Sequence, residues 1–220
     1  MCVLGCDHQA VADSYNNIGI VYSAQRNDEN ALLQLQKSIE IKIKVLGCDS
    51  MEVATSHNNI GDVLNRQGDY ENALLQHHKS LEIKLRVCGN KHPLVAESYH
   101  AIGNVYATHG QKEEALEQFH KSLEIKIRVY GKDHPDVADS KFNMGLVHTR
   151  CNEMHLAHEL FLESHRIYSN VYGPGHHRTI NAAVRTANAA QRAGQCAEES
   201  ALAEIDERGT HTYIQCVPRS

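Results

Sequence analysis

One nine-residue phrase, returning at a single spacing, limits what this chain can fold into. Val11-Ala-Asp-Ser-Tyr-Asn-Asn-Ile-Gly19 is followed by Val53-Ala-Thr-Ser-His-Asn-Asn-Ile-Gly61, Val95-Ala-Glu-Ser-Tyr-His-Ala-Ile-Gly103 and Val137-Ala-Asp-Ser-Lys-Phe-Asn-Met-Gly145. The offsets 53 − 11, 95 − 53 and 137 − 95 are each 42, and a worn fifth copy runs from Thr179 to Ala187 at the same step. The other half of the unit keeps register as well. Ala31, Ala73, Ala115 and Ala157 are equivalent, as are Ser38, Ser80, Ser122 and Ser164, and Gly5, Gly47, Gly89, Gly131 and Gly173 mark the joints. A fixed period of this length builds an array in which each unit buries its apolar face only against its neighbours.

Each unit reads as two helices. Val11, Tyr15, Ile18, Gly19 and Tyr22 fall three and four apart, one face of a first helix; Ala31, Leu35, Ile39 and Val45 do roughly the same in a second. Turn signals separate them at Arg26-Asn-Asp28, Gln67-Gly-Asp69, His109-Gly110 and Cys151-Asn152. Gly68 and Gly110 stand where a first helix must end in a residue tolerant of positive φ, and the joint glycines do the same for the second helix. Pro93 and Pro135 open the next first helix, where a missing N–H costs nothing. Gly19, Gly61, Gly103 and Gly145 on one helix, and the four equivalent alanines on the other, predict a close approach within each hairpin.

Composition fits this picture. The chain has 220 residues, 41% of them hydrophobic but only 5% aromatic, with no Trp. That suits many small helix–helix contacts better than one large core. A net charge of −5 offers nothing to a polyanion, so nucleic acid is not expected as a partner. No apolar run approaches the roughly 18 residues of a membrane span, and the first residues lack the regions of a signal peptide. The seven cysteines, an odd number, read as reduced thiols.

The spacing of these aromatic, Gly and Ala positions resembles the tetratricopeptide pattern, whose usual unit is about 34 residues. The longer unit here carries Lys132-Asp-His-Pro-Asp-Val-Ala138 at a joint, Asn58-Asn-Ile-Gly61 in a first helix and Leu81-Glu-Ile-Lys84 in a second. In these motifs it is similar to the kinesin light chain type of repeat, over about residues 1–193. The resemblance implies an all-α fold, a right-handed α-solenoid of about five antiparallel helix hairpins. On this reading residues 1–208 form the solenoid, in units of about 8–49, 50–91, 92–133, 134–175 and 176–208. Residues 1–7 are read as the end of a preceding helix, Gln195 to Arg208 as a solvating cap in the slot of a fifth second helix, and 209–220 as a disordered tail.

The implied function is protein–protein interaction, not catalysis. An adaptor or scaffold in the cytoplasm would take a peptide or partner segment in its concave groove, as a cargo-adaptor piece of a kinesin light chain-like protein would. The alternative is an architectural or self-associating array joined through the N-terminal repeat at Val3 and Leu4. First helices line the groove in this family. Its groove-facing positions map onto Asp13, Asn16, Asn17, Ile20 and Ala24; Thr55, Asn58, Asn59, Asp62 and Arg66; Glu97, His100, Ala101, Asn104 and Thr108; Asp139, Phe142, Asn143, Leu146 and Arg150; and Asn181, Val184, Arg185, Asn188 and Arg192. The candidates for partner contact are Asn16, Asn58, Asp62, Arg66, His100, Asn104, Phe142, Asn143, Arg150 and Arg185. An Asn amide offers donors and an acceptor, and so can pair with any extended backbone. Arg66, Arg150 and Arg185 could fork onto a carboxylate, while Phe142, Leu146 and Val184 could seat an apolar anchor. The competing reading has the Asn residues bonding only between neighbouring helices. The carboxylate clamp of chaperone-binding members is not reproduced in the first three copies, whose positions hold Asn16, Ile20, Asn59, Glu97 and Ala101, and is only partly matched in the last three by His100, Asn104, Asn143, Asn181 and Arg185.

Other features read as structural. Glu40…Lys44, Glu82…Arg86 and Glu124…Arg128 are pairs four apart on a solvated face, which Lys37, Lys79 and Lys121 share. Sixteen histidines raise the question of metal, but His155 and His158 with Glu159 are not a zincin motif, and the pairs His77-His78 and His176-His177 lack further converging ligands. Cys6 and Cys48 are one repeat apart, distributed by the period and not gathered into a site. Phosphate loops, dinucleotide fingerprints and nucleophile elbows are absent, so neither an enzyme nor a cofactor is expected.

Overall fold

The structure, a computed structural model, describes residues 8–207, with side chains to residue 195. The expected preceding helix end at 1–7, with Val3, Leu4, Gly5 and Cys6, and the expected tail at 209–220 lie outside the described residues. Among the described residues, eight α-helices alternate as first and second members of hairpins: α1 (Gln9–Ala24) with α2 (Asp28–Leu46), α3 (Met51–Gln67) with α4 (Tyr70–Cys88), α5 (Pro93–His109) with α6 (Lys112–Tyr130), and α7 (Pro135–Arg150) with α8 (Met154–Tyr172). A ninth, α9 (His177–Glu207), packs on α8.

Local chemistry sets these boundaries. Asp69 caps α4 by accepting from the Asn72 amide at 3.3 Å, and Ser50 caps α3 from the Val53 amide at 3.2 Å. Pro93 and Pro135 stand at the first helical turn, as their fixed φ permits. Gly68 ends α3 in the left-handed region at φ 83°, a conformation that costs glycine little. Where this turn lacks glycine, Arg26 and Asn152 adopt φ 61° instead.

Polar contacts recur within the hairpins, at Ser38 and Ser164, and across the joints. Within a hairpin, the buried Ser38 hydroxyl donates to the Ala12 carbonyl at 2.7 Å, and Ser164 donates to Ala138 at 3.0 Å. Between hairpins, the ammonium of a buried lysine reaches a serine on the next first helix. Lys42 donates to Ser56 at 3.4 Å, Lys84 to Ser98 at 2.9 Å and Lys126 to Ser140 at 2.9 Å. At the fourth joint both partners change together, to Tyr168 and Ala182, and the tyrosine hydroxyl donates to Asp139 at 2.6 Å. A buried ammonium is tolerated only with acceptors in reach, so the serine and the lysine stand or fall together. Ser140→Ala is expected to destabilise by about 1–3 kcal/mol, and Lys126→Met in the same chain to recover most of that loss. Urea midpoints of the two single variants and the double variant check this.

The fifth unit is a difference. A fifth hairpin was expected, its second helix at Gln195 to Arg208 after a turn at the equivalent of Gly110, but α9 runs through Gly194 without a break over 31 residues. The reason is visible in the sequence. The positions that second helices bury at Ala31, Leu35, Ser38 and Ile39 correspond here to Glu199, Ala203, Asp206 and Glu207. Those residues offer little apolar surface to draw the chain back onto the array. The side chains of the expected cap, beyond residue 195, lie outside the described residues.

Candidate functional site

First helices face one another directly along one side of the array. Asn59 Nδ2 on α3 donates to Asn16 Oδ1 on α1 at 3.2 Å, and Arg66 donates to Ser23 at 2.9 Å. One repeat pair further on, Asn143 on α7 donates to His100 Nε2 on α5 at 2.8 Å, and Arg150 donates to the Ala107 carbonyl at 2.6 Å. Each of these pairs spans 43 residues, one repeat plus one. On the other side α6 and α8 stand apart over α7: a cavity of about 590 Å³ is lined by His120 of α6, Met144 and His148 of α7, and Leu156, Leu160 and Leu162 of α8. Close first helices and parted second helices make the first-helix wall the inner, concave side.

The Asn ladder is therefore largely engaged within the protein. Asn16 holds Asn59, and Asn143 holds His100. Asn58 turns inward, its Oδ1 3.2 Å from His77 Nδ1 and its Nδ2 3.4 Å from the Asp62 carboxylate. Arg66 is committed to Asp28, with Nε donating at 3.0 Å, and to Ser23. Phe142 leans on Phe161 with ring centroids 5.2 Å apart. Among the sequence candidates, Asn104 and Arg150 line a cavity of about 140 Å³ floored by Phe119, with Leu146 and Val147 beside it. Arg185 borders a larger cavity of about 270 Å³ with Arg192, Asn188 and Gln191, floored by Phe161, Met154 and Ala189. The structure thus brings Asn104, Asn143 and Arg150 together in one cavity and places Arg185 in the next.

Sequence reasoning passed over the floor. Leu35, His77, Phe119 and Phe161 occupy one repeat position, each lying against the glycine of its own first helix. A Cβ on Gly103 would sit 2.8 Å from the Phe119 ring and one on Gly145 2.7 Å from Phe161, so the missing side chain is what lets each ring slide beneath the groove. The signal was a bulky residue at a fixed offset of 16 from each helical glycine, a ring in three repeats and Leu35 in the first, in a helix position that otherwise reads as ordinary core.

Electrostatics distinguish the second repeat. Burial lowers both His77 and His100 to about 4, so these imidazoles are neutral near pH 7. The walls of the groove push the Asp62 carboxyl up to about 6, against the opposing pull of Arg66 and Lys84. On the outer faces Arg86 and Arg128 pair with Glu82 and Glu124 at 3.6 and 2.7 Å, as the four-residue spacing predicts. Among the described residues no three of His, Cys, Asp and Glu converge on a metal-sized space, and no helix is long and apolar enough to cross a membrane.

Profiles described as tetratricopeptide repeat match residues 52–127 and 111–168, and a second profile of the same description matches 11–50. No curated protein matches the sequence. Among solved structures, nearly identical TPR-like repeats from Podosopora anserina, described as those of a kinesin light chain, are 19% identical over 93% of this chain and 99% of theirs, with a TM-score of 0.72. BtubC (BKLC) from P. vanneervenii is 13% identical over 96% of this chain and 87% of its own, with a TM-score of 0.73. The apo form of RapI is 19% identical over 72% of this chain and 56% of its own, with a TM-score of 0.62. At such identities the likeness is one of fold.

Proposed function

The chain belongs to the tetratricopeptide repeat family, with units of the 42-residue kinesin light chain-like type, and from that premise we propose that its concave groove binds an extended segment of a protein partner, as an adaptor or scaffold. Repeats of this family serve protein–protein interaction. The observation that carries the groove reading is the pair of cavities floored by Phe119 and Phe161 on the first-helix wall. They lie one repeat apart, roughly 10 Å for packed helices. An extended peptide rises about 3.3 Å per residue, so side chains about three residues apart would enter both. The outer Arg185, Arg192 and Asn104 would meet the peptide's backbone and polar groups. The described cysteines, Cys48, Cys88 and Cys151, are free thiols, which suits a place in the cytoplasm.

Asn104→Ala combined with Arg185→Ala tests this, because no hydrogen bond holds either side chain to the rest of the fold. A peptide selected by display against the full chain is expected to bind this variant about tenfold or more weakly, with unchanged melting. A selected peptide indifferent to both changes moves the interaction off the groove. A second reading, self-association, is supported by Ile18 and Val21, which are 45% and 55% exposed on α1 where their equivalents Ile60 and Val63 are buried. An absence of selected peptides, with a concentration-dependent mass in sedimentation, would favour it.

A further inference from the structure

The floor of the groove is apolar under three first helices and polar under one. Leu35, Phe119 and Phe161 lie beneath Gly19, Gly103 and Gly145, but His77 lies beneath Gly61, and it is 1% exposed. Its hydrogen-bond partners fix its tautomer. Asn58 Nδ2 donates to Asp62 Oδ2, which leaves Asn58 Oδ1 toward the imidazole at 3.2 Å. The reverse amide would set the Asn58 oxygen against the carboxylate, acceptor against acceptor. With the amide in that orientation, the ring proton is assigned to Nδ1, which leaves a lone pair on Nε2. That Nε2 has no hydrogen-bond partner, and Asp62 Oδ1 faces it at 3.6 Å. Two acceptors meet with no donor between them. A buried imidazole nitrogen set against a carboxylate at the groove surface leaves room for one more proton or cation between them.

We propose that Asp62, backed by His77, is a cation subsite of the groove that takes the ammonium or guanidinium of a Lys or Arg side chain on the bound segment, with a proton as the competing occupant. This rests on the groove reading above. Asp62 is placed for the role, since its side chain is 59% exposed and open to an incoming ligand. The neighbouring cations are already engaged, Arg66 by Asp28 and Lys84 by Ser98. Below about pH 6, without a ligand cation, the Asp62 carboxyl takes up a proton on the side that faces Nε2. When the cation arrives, that proton leaves to solvent and the carboxylate pairs with the ligand.

The charged groups around the pair set the pH at which this exchange occurs. Arg66 on α3 and Lys84 on α4 favour the carboxylate, while Lys84 and His78 on α4 disfavour charge on His77. Glu97 on α5 acts on the cluster through Lys84, and α1 presents Asn16 to the adjoining Asn59. Burial outweighs the two cations and holds the Asp62 carboxyl near 6 with the imidazole near 4. The single proton taken up between these values therefore belongs to Asp62, and cation binding strengthens as pH rises through about 6.

The probe is a random dodecapeptide display library selected on the full chain, on Asp62→Asn and on His77→Phe. The last variant places under Gly61 the ring that Phe119 already places under Gly103, so it keeps a side chain the repeat accommodates. Selections on the wild type are expected to enrich Lys or Arg at one position beside the apolar ones. Asp62→Asn is expected to abolish that enrichment and keep the apolar positions. The leading wild-type peptide is expected to bind about tenfold more weakly at pH 5 than at pH 7, and His77→Phe to move the midpoint of that loss to lower pH because protonated Asp62 then has no acceptor beneath it. Basic enrichment that survives Asp62→Asn, or affinity that is flat with pH, would overturn the subsite while leaving the groove intact. An absence of any enriched peptide would instead overturn the groove reading on which it rests.

Discussion

Phe119→Ala is expected to cost about 3–5 kcal/mol of stability, the range for an aromatic ring removed from a close-packed interior. The ring is 1% exposed and lies where three elements meet. Gly103 on its own hairpin's first helix admits it, the His100 ring tilts against it at 54° with centroids 5.1 Å apart, and Met144 and Val147 of the next first helix close the cluster. The loss is therefore both within a hairpin and across a joint, and in an array stabilised by nearest neighbours a weak joint divides the whole. The same geometry gives a second, sharper expectation. Gly103→Ala alone places a Cβ 2.8 Å from the ring and must push the helices apart, at about 1–3 kcal/mol. In the Phe119→Ala background the obstructing ring is gone, so the added methyl fills space instead of colliding. The double variant should be more stable than the sum of the two single losses by at least about 1 kcal/mol. Urea denaturation of the four proteins measures it. Strict additivity would mean that the glycine is not there to admit the ring.

Features dictated by packing between like units could be read from the sequence. The helical glycines, the facing alanines, the joint glycines and the two prolines each answer a steric demand that recurs at every repeat, so the period exposes them. Features that depend on what a polar side chain meets could not be read in this way. Lys84 sits in Leu81-Glu-Ile-Lys84, a pattern that looks like a solvated helix face, yet its ammonium lies under the next hairpin against Ser98. The clue was a covariation inside the chain, with Lys and Ser fourteen apart in three joints and Tyr and Ala in the fourth. Asn16, Asn59 and Asn143 had two readings from sequence, and their hydrogen bonds to neighbouring first helices favour the structural one. Arg66 was expected to meet a ligand carboxylate and instead meets Asp28. Gly194 kept the turn signal without the buried residues that would make a turn worthwhile, and α9 ran straight through it.

Acidification is the other large effect expected, and its sign follows from two buried imidazoles. His77 and His100 are held at about 4 in the folded chain by burial, against 6.5 for the ordinary group. The unfolded chain therefore binds more protons between pH 6.5 and 4. Stability is fully present above pH 6.5 and falls as pH drops toward 4. At pH 5 each imidazole accounts for a loss of about 2 kcal/mol relative to pH 7. Asp62 acts in the opposite direction. Its folded value of about 6 lies above the ordinary 3.8, so it contributes stability at low pH that is lost as pH rises through 6. Its exposed edge is screened by water, which keeps that return below about 1 kcal/mol. The balance is a net loss of about 3 kcal/mol between pH 7 and pH 5, a large share of the few kcal/mol by which a domain is ordinarily stable. His77→Phe should remove about half of the acid loss that the two imidazoles carry. His100→Asn should remove much of the remainder, because asparagine at this position already pairs with its neighbour as Asn16 does with Asn59. Urea midpoints at pH 7 and pH 5 for the wild type and both variants decide the matter. Equal acid sensitivity in all three would show that His77 and His100 take up their protons without unfolding, and so are not held neutral by the core.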